Sequence, residues 1–334
     1  MSLPAAHKLR YKPFQVGPLQ QHKTGLIDIF RDLSMYNAKN FPYTTKDGHL
    51  LGAYVDVTMK ATKDCSGSIV ALQNSWKLRN AVRKFHFRRL EMFENAGIEG
   101  EELGRYGHEI RPYFDRAHAL QQNLWNEGEF GPYRVTTDGV TVDSGTDIAT
   151  VEIEFMKGGD WDRSQVVSST PTADGGDPET DVWNLHLAGG HITSATAGTY
   201  DSVGMILAYN EDRMEVVTPG AEETVVGNNP LALLASQSVT GGLAADIAED
   251  QELERPPYDI SDGGDSISLS EIEFFRAVPY SAGDDNSAII HLKNLWLPAG
   301  YLGFSFDQFP SDLVGDGLEI VVDVKSVWEC RELA

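Results

Sequence analysis

Cysteine is almost missing from this chain. Cys65 and Cys330 are the only two in 334 residues, which excludes a disulfide framework and fits a reducing compartment. Paired Cys or Cys/His zinc patterns are also lacking. No apolar run approaches the ~20 residues needed to cross a bilayer, so no transmembrane segment is expected. The opening residues, MSLPAAHKLRYKPF, contain no apolar core of the secretory type, so no leader is expected either. The nucleophile, metallopeptidase and nucleotide motifs GxSxG, SxxK, HExxH, GxGxxG and GxxxxGK[ST] do not occur. Those absences lead us to expect a protein that is not an enzyme.

Cations are scarce in one part of the chain and not in the other. Residues 135–334 hold 8 Lys and Arg against 36 Asp and Glu, whereas residues 1–134 hold 19 against 14. The formal net charge of −23 therefore sits on two electrically different surfaces.

What the chain does have is one long basic helical stretch, within residues 74–116. Leu78, Val82, Phe85, Met92, Phe93 and Ala96 recur at steps of three or four, interrupted by Arg89. That spacing predicts an amphipathic helix of about five turns. Asn74 or Ser75 serves as its N-cap and Gly97 as its stop. Between Trp76 and Arg89 it carries six cations and no acid: Lys77, Arg79, Arg83, Lys84, Arg88 and Arg89. These are the candidate contacts with a polyanion or with a neighbouring subunit, the latter through its acidic surface. Covering the solvent face of a core helix is the blander use of the same residues. Pro112 fits a second helix only if that helix begins there.

Elsewhere the pattern is short strands. Residues 1–24 carry four cations, no acid and three prolines before Thr24, which reads as an extended N-terminal arm. Residues 25–37 look like a short helix with Leu26, Ile27, Phe30 and Leu33 on one face. Residues 46–49 mark a turn. Leu51–Ala61 alternates at period two, and residues 66–72 read as its neighbour. Further strands are expected at 133–142 (with a turn at Asp138-Gly139), 150–155, 182–187, 203–209, 214–218, 266–278, 288–297, 301–306 and 318–327. Residues 158–180 are expected to be a surface loop; residues 229–264 read as a broken helical piece followed by a loop. The count is about eleven strands, with no repeat and no βαβ alternation, which points to a mainly β sandwich or barrel. In a jelly roll the first and last strands are neighbours. An antiparallel pairing of Leu51–Ala61 with residues 318–327 would place Cys65 and Cys330 at opposite ends, too far apart to bond.

Chemistry is thinly signalled. His186 and His191, in NLHLAGGHI, are the nearest approach to a metal-ligand pair and would form part of a cupin-like site; two ordinary strand histidines are the simpler reading. Glu152 and Glu154 share a strand face, and Asp56 and Asp64 lie close in sequence. With 50 acids present, such pairs arise by chance. Acidic clusters at 174–181, 249–254 and 284–285 offer oxygen ligands for Ca²⁺ without EF-hand spacing. No other cofactor is expected.

Four stretches carry a resemblance: RDLSMYNAKN at 31–40, NSWKLRNAVRKFHFRRLEMFENAGI at 74–98, GRYGHEIRPYFD at 104–115, and NPLALLASQSVT with EDQELERPPYD within 229–259. In order, and diffusely over residues 25–330, they resemble the jelly-roll major capsid proteins of small tailless viruses, environmental and single-stranded DNA in type. The resemblance implies a jelly-roll domain over 25–334 with a helical insertion at 74–122. It implies trimers or larger capsomers of identical copies, viral nucleic acid on the inner face and minor capsid proteins as further partners. It also implies residence in a virion after synthesis in host cytoplasm. A double jelly roll is the alternative fold, though eleven strands suit one roll better than the roughly sixteen that two require. The arm departs from the family pattern: its four cations are few, which shifts genome contact toward residues 77–89. A glycan-binding or spike module, or a metalloenzyme built on His186 and His191, are the readings from other classes.

Overall fold

The computed structural model describes residues 7–13, 24–98, 103–104, 107–119, 130–136, 152–155, 162–170, 179–193, 200–214, 269–278, 287–308 and 318–331. Among these the protein is mainly β, with antiparallel sheets compatible with a sandwich.

Strand β1 is Lys8–Pro13. It lies in the stretch read as an arm, and it is extended but paired. After it comes β2, Thr24–Asp28, then helix α1, Ile29–Asn37. The helix expected over 25–37 therefore forms from Ile29 on, and its first four residues are strand. Asp28 explains the switch, because its carboxylate accepts from the Arg31 backbone N–H at 3.2 Å and so starts the helix at Ile29. Leu26 and Ile27 are both buried although adjacent, as in a strand covered on both faces. The turn at 46–49 forms: Thr45 donates to the His49 carbonyl, and Gly48 adopts φ +78.

Strand β3, Leu51–Ala61, buries Val55, Val57 and Met59 and leaves Tyr54, Asp56 and Thr58 half-buried. It pairs antiparallel with the last strand, β15, Leu318–Glu329, with Leu318 opposite Ala61 and Glu329 opposite Leu51. The pairing expected from sequence is present. Cys65 and Cys330 are both buried and free. Burial pushes their thiols up to about 11 and about 12, so both rest as protonated core groups. Strand β4, Cys65–Leu72, is not the neighbour of β3. The short connection at 62–64 carries the chain across to the opposing sheet instead.

Helix α2, Trp76–Asn95, follows. The Ser75 hydroxyl accepts from the Leu78 N–H at 3.2 Å, and Gly97 at φ +79 follows its end. Leu78, Val82 and Phe85 are buried, Met92 and Phe93 half-buried, and Ala96 exposed. Pro112 does not open a helix; Tyr113–Asp115 is strand β5, and the short helix α3 is Arg116–Ala119. Next come β6 (Phe130–Thr136), β7 (Glu152–Phe155), β8 (Gln165–Thr170), β9 (Glu179–Ala188), β10 (Ile192–Thr193) and β11 (Tyr200–Gly204). Helix α4 is Met205–Met214. Thus the expected loop at 158–180 contains β8, and the strand expected at 203–209 is mostly helix. Short apolar runs such as GMILAY do not distinguish the two states. Strands β5 and β11 both run parallel to β9, pairings that no alternation of strand and helix had signalled. Strands β12 (Leu269–Ala277), β13 (Ala288–Pro298) and β14 (Tyr301–Gln308) lead to β15.

Three sheets result. Their orders are β13-β3-β15-β1-β6-β7, β12-β4-β14-β2, and β10-β11-β9-β5 with β8 also on β9. Fifteen strands are described, against the eleven expected. One continuous core joins the sheets to α1, α2 and α4. The turn expected at Asp138-Gly139, the elements of 229–264 and the strand expected at 214–218, apart from Met214, which ends α4, lie outside the described residues.

Candidate functional site

The six cations of α2 do not share one open face. Lys84 is buried, with Nζ 5.8 Å from the centre of the Tyr209 ring on α4. Arg88 is buried and pairs with Glu91 at 3.1 Å. Arg89 donates to the Glu109 carbonyl and lies over Phe93 at 5.3 Å; burial holds its guanidinium below the usual arginine range. Lys77, over Trp76, Arg79, bonded to Asn74, and Arg83, over Phe87, remain half-buried. The helix turns inward more than its periodicity implied because α4 and the 46–49 turn both pack on it. A Cβ at Gly48 would stand 2.6 Å from the His86 ring. His86 is buried, and that burial pushes it down to about 4.

A second cluster, invisible in the sequence, centres on Arg163. Its guanidinium pairs with Asp28 at 2.8 Å and donates to the Tyr43 and Tyr301 hydroxyls at 3.0 and 2.8 Å and to the Pro112 carbonyl at 3.2 Å. Burial holds both phenols above their usual range, so they remain protonated. Nearby, the Glu109 carboxylate accepts from the Asn40 amide, the Arg111 guanidinium and the Tyr43 N–H. This cluster ties β2 and β14 of the four-stranded sheet to residues 107–115 and 162–164 of the long connection. Every group in it is bonded to another, which suits a structural clamp and not a reacting centre. The one compositional hint was that Arg163 is among only 8 cations in residues 135–334.

His186 and His191 are close together but committed elsewhere. His186 is buried, with Nδ1 2.6 Å from the Ser202 hydroxyl and Nε2 3.0 Å from the Gly190 carbonyl. His191 Nδ1 accepts from the Gly204 N–H at 3.1 Å. Burial pushes His186 down to about 4, so its ring is neutral. Among the described residues no three His, Cys, Asp or Glu side chains converge as metal ligands. The acidic clusters suggested for Ca²⁺ lie outside the described residues, apart from residues 179–181 at the start of β9.

One cleft of about 880 Å³ opens where the end of β15 meets the turn before β3. Leu51, Leu103, Trp328, Lys46, Glu109 and Arg331 line it. Its size falls within the range of small-ligand sites.

No protein-family model, no curated protein and no solved structure matches this chain.

Proposed function

We propose that this chain is a viral major capsid protein, a jelly-roll subunit that assembles with copies of itself into an icosahedral shell around a genome. The observation that carries the reading is strand order. Eight strands in sequence, β1, β2, β3, β4, β12, β13, β14 and β15, divide between two sheets, changing sheet at every step except from β4 to β12, which pair with each other. Counted one to eight, they lie in the orders 6-3-8-1 and 5-4-7-2. Those orders support the reading of a single jelly roll, with strands β6 and β7 extending one sheet. A double jelly roll would need a second set of eight, which the third sheet, with its parallel pairings, does not resemble.

Jelly rolls also serve lectins and cupins, so fold alone does not choose among them. Two features favour a shell. The long connection between β4 and β12 carries α2, α3, α4 and the third sheet, a large addition to the eight strands. The sandwich edge formed by β12 and β13 leaves Phe274, Val278 and Ile289 exposed, where a neighbouring copy would cover them. Closed symmetry turns many such modest contacts into a stable shell. Of the six α2 cations, Lys77, Arg79 and Arg83 are assigned to nucleic acid or to an acidic neighbour; Lys84, Arg88 and Arg89 serve the helix's own packing. No described helix is long and apolar enough to cross a membrane. Electron microscopy of the heavy fraction of recombinant protein tests the reading: closed particles are expected, and amorphous aggregate alone would count against it.

A further inference from the structure

The cleft beside Trp328 has no part in the shell reading, and its chemistry points to a ligand of its own. Trp328 is 62% exposed at the end of β15, an unusual place for a large apolar ring. It stands opposite Gly52 on β3. On the other side of β3, the Trp296 ring lies directly over Gly52, so close that a Cβ there would sit 2.5 Å from it. Tyr54 packs against Trp296 with centroids 4.5 Å apart and the rings tilted by 42°. The outer face of the sheet therefore carries a row of three aromatic side chains that ends at the cleft mouth.

The two carboxylates that line the cleft are matched, and Lys46 is the one further lysine or arginine in its lining beside Arg331. Arg331 is bonded twice to Glu329, at 2.7 and 3.0 Å, and Glu109 is satisfied by Arg111, Asn40 and the Tyr43 N–H. Such pairing leaves no concentrated field of one sign to hold a phosphate or a carboxylate. What remains is an aromatic platform beside polar groups, the hydroxyl of Thr45 and the Glu329–Arg331 pair, over a volume of about 880 Å³. A neutral sugar ring matches this combination: its C–H face packs on an indole while its hydroxyls meet the polar rim.

We infer that the Trp328 cleft is a binding site for a neutral saccharide, with Trp328 as the stacking platform and the Glu329–Arg331 pair as the polar clamp. This goes beyond the shell reading and does not depend on it. A base of single-stranded nucleic acid also stacks on indole, but it brings a phosphate for which the cleft lining offers Lys46 alone beyond the Glu329–Arg331 pair.

The test is calorimetric titration of the full chain with maltohexaose, cellohexaose, mannohexaose and chitohexaose in turn, and with a ten-nucleotide oligothymidylate. At least one sugar is expected to bind saturably. Trp328→Ala should weaken it by about tenfold or more, as for removal of an aromatic anchor, while Trp328→Phe keeps most of the affinity. Arg331→Gln should weaken it less, and it serves as an independent variant if Trp328→Ala does not fold. Silence from all four sugars, equal affinity in the Trp328→Ala protein, or displacement of the sugar by oligothymidylate would each overturn the inference.

Discussion

The Arg163 clamp and helix α2 bury charge in opposite ways. At Arg163 a guanidinium whose side chain is 8% exposed has a carboxylate, two phenols and a carbonyl as partners. On α2, Arg83 Nε, His86 Nε2 and Arg88 Nε are buried with no hydrogen-bond partner. The first arrangement recovers the cost of removing a charge from water, and the second recovers it only in part. A cluster whose members hold one another fixes the sandwich to its long connection. A helix with unmet donors is held chiefly by its apolar stripe of Leu78, Val82 and Phe85.

The comparison can be broken most forcefully at the clamp. Arg163→Met should cost about 3–5 kcal/mol in urea unfolding, because Asp28 is left buried without its cation. A loss of under about 1 kcal/mol would show that the clamp is not what joins the two regions.

Acid behaviour sharpens the contrast. Burial pushes the Asp32 carboxyl up to about 7, helped by nearby Asp28 and opposed by Arg31 and by the hydrogen bond from Tyr11. An unfolded carboxyl ionises near 4. Across that interval the folded chain keeps a proton that the unfolded chain has released. This group's contribution is therefore full below about pH 4 and is lost as pH rises through about 7. His86 and His186, pushed down to about 4 by burial, act in reverse. Their contribution is present above about pH 6.5 and is lost as pH falls toward 4. Asp32→Asn removes the first effect and keeps the second. The variant should gain on the wild type as pH is raised from about 5 to about 8, and parallel profiles would contradict the assignment.

Smaller effects belong to α2. Ser75→Ala should cost about 1 kcal/mol through loss of the N-cap. Arg83→Met should change stability by no more than about 0.5 kcal/mol, since the donor removed is already unmet. A loss of several kcal/mol from Arg83→Met would mean that α2 is clamped as firmly as Arg163.

Sequence alternation revealed the longest antiparallel strands well. Val55, Val57 and Met59 against Tyr54, Asp56 and Thr58 identified β3, and the matching run in β15 supplied its partner. Alternation failed where both faces are covered: Leu26 and Ile27 read as helix, and Val203–Gly204 ran on into α4 without a break in hydrophobicity. The sites were far less legible. The partners of Arg163 lie 135, 120 and 138 residues away in the chain, a distance over which local pattern carries nothing. The α2 cations are conspicuous, but packing by α4 and by the 46–49 turn decides which of them reach solvent. Lys84 and Arg88 could not be told from Lys77 and Arg79 by spacing alone.

The most direct test of the central claim is light scattering coupled to size-exclusion chromatography, on recombinant protein across a series of salt and Ca²⁺ concentrations. A shell subunit is expected to run as trimers or larger capsomers that convert to particles, and replacing Phe274 and Ile289 together by Ser should shift that mass distribution downward. A wild-type protein that stays monomeric in every condition, with the double variant unchanged from it, would contradict the account.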